Sequence, residues 1–222
     1  GNYGEFYRNV IGVNFYNNDI SGNTYTNIIG EQFGNNTLYG DFYDNQIFNE
    51  FKGNITLEFY ENKTDWGFGA NQFSGVCSGN NFGYAISSND FLGDVFANTF
   101  KGVVYGNTIG DNFFGNNIGL GFVENIISQN FQTNEIGNYF FGNTIGEGFG
   151  FGYSVPQGNK IGNNFTNNTV GEYFYNNTIS DNFEENIIDN YFQWNIVNTA
   201  VSGICLSTGM LYDITTVNVF KN

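Results

Sequence analysis

Apolar side chains recur along this chain at spacings that alternate between four and five residues. One series holds Ile11, Ile20, Ile29, Leu38 and Ile47, and later Ile109, Ile118, Ile127, Ile136, Ile145, Ile161, Val170, Ile179, Ile188 and Val197. A second series, offset by four, holds Phe6, Phe15, Phe33, Phe42 and Phe51, then Phe113, Phe122, Phe131, Phe140, Phe149, Phe165, Phe174, Phe183 and Phe192. An amphipathic helix needs apolar spacings of three and four, and a half-buried strand needs strict alternation. Neither template fits. A coil that turns a corner every four or five residues does, with one large side chain pointing inward from each short side.

Asparagine sets the period. It stands at every ninth position from Asn9 to Asn54, again from Asn62 to Asn143, and again from Asn159 to Asn195. The unit is Asn-x-Ile-Gly-x-x-Phe-x-x, and a short period held this long marks a solenoid or fibre of stacked copies. Asn, Gly, Thr and Phe are poor helix formers, which removes a helical solenoid. Asn tolerates left-handed backbone and bonds its neighbouring main chain, so it suits a corner. Its amide both donates and accepts, so stacked copies can also bond along the axis. Gly after the Ile, as at Gly12, Gly30, Gly83 and Gly146, predicts a bend without a Cβ. Gly-Asn is frequent but Asn-Gly, the strongest two-residue hairpin signal, is absent, which argues against meanders, sandwiches and barrels.

Between residues 73 and 104 the consensus dissolves while the asparagines stay in step. The first inward position there holds Phe73, Phe82, Phe91 and Phe100, and the second holds Cys77, Ile86, Val95 and Val104. Large and medium side chains have changed places at constant total volume, as two positions facing one close-packed core would require. The fold predicted is an all-β parallel β-helix, a β-solenoid with two nine-residue repeats per four-sided coil, in outline like the pentapeptide-repeat helices. At ~4.8 Å per coil the chain would form about 12 coils and a rod of roughly 55–60 Å. The alternative is a triple β-helix of three chains, with Ile and Phe meeting at a shared axis.

Residues 1–197 carry the repeat, with two irregularities. Asn54 to Asn62 is one residue short, which predicts a kink near Phe59, Tyr60 and Glu61. Asn143 to Asn159 spans sixteen residues, and the stretch 148–160, with the single proline Pro156, reads as a register slip or a small protruding loop. Residues 198–222 form a C-terminal cap or junction, in which Val201, Leu206, Met210 and Val219 continue the inward frame. The N-terminal coil at Phe6 and Ile11 shows no cap, and the chain opens on Gly1, so the expectation is an excised piece of a longer protein.

Charge and chemistry narrow the function by exclusion. The net charge is −15, and the six cations are Arg8, Lys52, Lys63, Lys101, Lys160 and Lys221. No basic stripe can be built from them, so nucleic acid and anionic lipid are not expected partners. No stretch is apolar enough to span a bilayer as a helix. Histidine is absent, and with it the commonest general base, zinc ligand and triad member. Cys77 and Cys205 are too few and too far apart for a disulfide framework or metal site, and about seven coils would separate them. Three carboxylate pairs, Glu184 with Glu185, Asp41 with Asp44 and Glu58 with Glu61, have the residue types that cleave glycosidic bonds, although exposed solubilising side chains are the reading expected of them. A shared threonine position (Thr37, Thr99, Thr108, Thr144, Thr169 and Thr178) suggests an ice-binding face, but Gln46, Asp90, Glu135 and Lys160 interrupt it. Sequons such as Asn164–Thr166 and Asn176–Thr178 follow from the composition. No catalytic, cofactor or metal residue is assigned, and no cofactor.

The blocks running from Asn107 to Phe113 (Asn-Thr-Ile-Gly-Asp-Asn-Phe) and from Asn143 to Phe149 (Asn-Thr-Ile-Gly-Glu-Gly-Phe) resemble the Asn-Thr-Ile-Gly-x-x-Phe repeats of phage tail-fibre and virion-appendage proteins. Similar repeats occur in giant-virus and bacterial surface proteins. The resemblance covers residues 1–197 and carries over no catalytic residue. It implies a rigid, non-enzymatic shaft or adhesin segment of a virion or cell-surface fibre. Its expected partners are a surface receptor or glycan and further copies of itself, as a homotrimer or end to end. A subunit of a self-assembling extracellular filament is the second reading, and a polysaccharide-acting enzyme the third.

Overall fold

The computed structural model describes residues 4–110, 112–150, 158–189, 192–193, 195–197, 201–202, 205–206 and 219–220, with the backbone alone at 193 and from 201 onward. The chain winds as a parallel β-solenoid. Each nine-residue unit lays down two sides. Some units keep them as one bent seven-residue strand, as in Ile28–Gly34 or Ile126–Gln132, and others split them, as in Thr37–Leu38 and Phe42–Tyr43. Two successive units close a coil, and the next coil pairs with it in parallel 18 residues on, for example Ile29 with Ile47 and Phe33 with Phe51. Odd and even units therefore build two opposite sheets along one rod. The coil is closed by one chain through pairing within itself, so the three-chain alternative does not describe this fold.

The core is one continuous cluster of the two inward positions, buried to within a few per cent along the rod, with Phe6, Ile11, Phe15 and Phe192 partly buried towards its ends. Phenylalanines of successive coils stack, as Phe113 on Phe131 and Phe131 on Phe149, each at 5.1 Å with planes within 7° and 4°. Rings from the two sheets meet edge-on or tilted, as Phe131 and Phe140 at 5.5 Å and 69°. The exchanged segment is packed as tightly as the rest, with Phe73, Cys77, Phe82, Ile86, Phe91, Val95, Phe100 and Val104 all 2% exposed or less. The column ahead of each exchange narrows first. Thr56 precedes Phe73 and Thr64 precedes Phe82, giving the incoming ring a small neighbour. Thr24 also breaks the phenylalanine series, seated between Phe6 and Phe42 with its hydroxyl buried and unpaired. Thr24→Val keeps the shape and removes the unpaired hydroxyl, so thermal unfolding should show a gain of about 1 kcal/mol; a loss would mean that the hydroxyl has a partner.

The asparagines form two ladders, one per sheet. Asn9, Asn27, Asn45, Asn62, Asn80, Asn98, Asn116, Asn134, Asn159, Asn177 and Asn195 make the first, and Asn18 through Asn186 the second. At each step the backbone N–H and the side-chain Nδ2 of one Asn both donate to Oδ1 of the Asn one coil on, as Asn107 does to Asn125 at 3.0 Å each. Nδ2 also donates back to the carbonyl of the second inward residue, as Asn125 to Val104 at 2.9 Å. A buried amide is thereby satisfied on both atoms, as a dry corner requires. The first ladder makes ten steps among the described residues, about 48 Å at ~4.8 Å per coil.

Several local expectations change. The left-handed residue is not the ladder Asn but the one before it. Arg8, Asn17, Thr26, Asn35, Asp44 and Gly53 lead the series, with φ between 53° and 67°. The ladder amide is thus held by its neighbours rather than by its own backbone, and the frequent Gly-Asn pair was the signal for it. Glycine after the Ile answers close packing rather than a bend. A Cβ on Gly83, Gly146 or Gly162 would run into the carbonyl of Asp65, Ser128 or Gly137 one coil below. The short unit leaves no kink. Asn45 reaches Asn62 and Asn54 reaches Asn71 across 17 residues with 2.9 Å bonds, and Phe59 stacks on Phe42 at 5.3 Å and 3°. The lost residue comes out of the exposed bend at Leu57 and Glu58, between Ile55–Thr56 and Phe59–Tyr60.

The long interval is an insertion and not a register slip. Asn134 bonds Asn159 and Asn143 bonds Asn168 across 25 residues with the usual geometry, so seven residues beyond the 18-residue coil are added without shifting either ladder. They fall between Gly150 and Gly158, and 151–157, including Pro156, lie outside the described residues. Of the C-terminal segment, Val201–Ser202 and Cys205–Leu206 continue the pairing of Phe183–Glu184 and Ile187–Ile188. Further on the register sets Phe220, not Val219, opposite the buried Val197. Met210 lies outside the described residues.

Candidate functional site

With the core closed, any chemistry must sit on the outward columns, where one position of the repeat recurs every coil. The six threonines of the shared position separate onto the two sheets. Thr37, Thr108, Thr144 and Thr169 lie on one, and Thr99 and Thr178 on the other. Ile55 and Ile126 stand between them on the first, and Ile187 follows Thr169. An unbroken threonine face is not formed.

The carboxylates also follow the coil. Register places Phe59 and Tyr60 beside Phe42 and Tyr43, which brings the pairs Asp41 with Asp44 and Glu58 with Glu61 together on adjacent coils. Glu184 and Glu185 are exposed at a corner near the other end of the described rod. Two open depressions in the surface hold one carboxylate each, Glu5 beside Ser21, Asn23 and Tyr39, and Glu135 beside Asn117, Lys160 and Thr178. Among the described residues no group of three or more acidic or thiol side chains could hold a metal ion. Cys77 is a buried free thiol whose proton is held by burial well above the usual range, which keeps it unreactive. The side chain of Cys205 lies outside the described residues.

The acidic strip flanks an outward aromatic column that composition alone does not reveal. Tyr7, Tyr25, Tyr43 and Tyr60 stack at 5.1, 4.9 and 4.8 Å with planes within 5°. The signal was available in the sequence as tyrosine at one repeat position on every second unit. Tyr25 donates its hydroxyl to Glu5 Oε2 at 2.7 Å, and that bond raises its pKa from 10.0 to about 12. Burial, then the carboxylate of Asp41, pushes Tyr60 up to about 12. A pKa raised in the folded chain means stability present below pH 10 and lost as pH climbs toward 12, because the unfolded chain ionises first. Tyrosinate absorbance from Tyr25 should emerge near pH 12 and return toward the ordinary value in Glu5→Gln; an unshifted titration in that variant would show that the bond is not what holds the proton.

Among the described residues no helix is long and apolar enough to cross a membrane. No protein-family model matches the chain, and neither a curated protein nor a solved structure matches it.

Proposed function

We propose that this chain is a rigid, non-enzymatic shaft or adhesin segment of a fibre on a virion or cell surface. The observation that carries the reading is the pair of asparagine ladders, which keep register through an eight-residue unit and a 25-residue coil alike. Such a rod resists bending because every coil is tied to the next by backbone pairing, a buried amide bond at two corners and a stacked core. Its resemblance to tail-fibre and virion-appendage repeats supports the same use, holding a binding module at a distance from a surface. A receptor or glycan is the proposed outside partner, and any end-to-end contact between copies is proposed to stop at a finite stack.

Electron microscopy of the purified protein tests this directly. Discrete stiff rods are expected, and endless filaments would instead favour an extracellular filament subunit. Incubation with acidic glycans should leave them intact. Cleavage that disappears in Glu184→Gln or Glu185→Gln would overturn the non-enzymatic reading.

A further inference from the structure

Exposed aromatic side chains stand in columns on this rod because each repeat position recurs one coil on. Where a column continues, as from Tyr7 to Tyr60, each inner ring is covered on both faces and leaves mainly its edge and hydroxyl to solvent, and the last, half-buried Tyr60, is in register with Ser78. One column on the opposite sheet does not continue. Trp66 and Tyr84, in the strands Lys63–Gly69 and Asn81–Ser87, are 57% and 46% exposed, and their rings lie 5.1 Å apart but tilted by 31°. Below Trp66 the register partner is Asn49. Above Tyr84 sits Gly102, so close that an added Cβ would lie 2.9 Å from the Tyr84 Cα. The outer ring face of Tyr84 therefore meets no side chain at its own position. Half-buried Asp65 and exposed Lys101 are sequence neighbours of this ledge, and Phe48, 40% exposed, neighbours Asn49.

We propose that the Trp66–Tyr84 ledge binds a neutral hexose-containing glycan. A pyranose has a face of C–H groups that stacks on an electron-rich ring and a rim of hydroxyls that both donate and accept. Asn49, in register with Trp66, offers an amide of both kinds, and Asp65 and Lys101, next in sequence to Trp66 and Gly102, offer an acceptor and a donor. The net charge of −15 disfavours polyanions, nucleic acid included. An extended peptide finds no free strand edge there, because the backbone of the adjoining coils is already paired, as Trp66 with Asn49 and Tyr84. The proposal rests on the surface-fibre reading only in that a rod held at a surface meets such glycans.

An array of neutral and acidic oligosaccharides probed with the purified chain, followed by calorimetric titration of the neutral glycans retained, tests it. Trp66→Ala and Tyr84→Ala should each weaken binding roughly tenfold, while Tyr43→Ala in the self-covered column leaves it unchanged. Melting temperatures of the two ledge variants should match the parent, since both side chains are exposed; if either variant melts lower, Trp66→Tyr, which keeps a ring, should fold and retain binding. Retention of acidic glycans alone, no retention at all, or affinity indifferent to Trp66→Ala would overturn the proposal. Stiff rods without glycan binding would sink the ledge and spare the shaft, and glycan binding by endless filaments would do the reverse.

Discussion

Phe131→Ala is expected to cost ~3–5 kcal/mol. The ring is fully buried and touches four others: Phe113 and Phe149 in its own column, and Phe122 and Phe140 at 5.3 and 5.5 Å across the core. Truncation leaves a cavity that the coils cannot close, because each is pinned by backbone pairing on both sides. In a solenoid the loss falls on nearest-neighbour interfaces, so unfolding should begin in the middle of the rod rather than at its ends. Urea unfolding measures the cost, and hydrogen exchange locates the opening. A cost below about 1 kcal/mol would mean that the core is looser than its geometry implies.

Asn125→Ala is expected to cost about 2–6 kcal/mol, the sum of two buried groups orphaned at ~1–3 each. Oδ1 of Asn125 accepts the backbone N–H of Asn107, which is left without that partner, whereas Asn107 Nδ2 keeps the carbonyls of Tyr105 and Ile86. The Val104 carbonyl loses a donor in the same stroke. Asn117→Ala supplies the contrast. It removes the same amide from an exposed column eight residues earlier and should change stability by no more than about 0.5 kcal/mol. Equal melting temperatures for both variants would show that the ladder amides are dispensable.

Much of this was legible because the repeat is short and strict. Alternating spacings of four and five excluded helix and flat strand, and the exchange at Phe73 through Val104 showed that both inward positions share one core. Other features were not legible, for a common reason. Whether the missing residue before Asn62 bends the rod depends on the exposed bend at Leu57 and Glu58, which tolerates a deletion because it takes no part in core or ladder. The residue that turns left-handed was marked only by the frequent Gly-Asn pair, because side chains as different as Arg8, Thr26 and Glu61 also occupy it. The Trp66–Tyr84 ledge could not be seen in one dimension, since its open face comes from a glycine 18 residues away.

The sequence by itself determined the period, the two inward positions, the asparagine at the corner and the absence of a hairpin fold, because these are properties of one unit repeated. Only the tertiary structure decided what happens between units. It closed the coil within one chain, chose an insertion over a slip, divided the threonines between the two sheets and brought two carboxylate pairs together on adjacent coils. The physical reason is that contacts between coils join residues 17 to 25 apart, and a local pattern carries no information about which neighbour will be stacked above it.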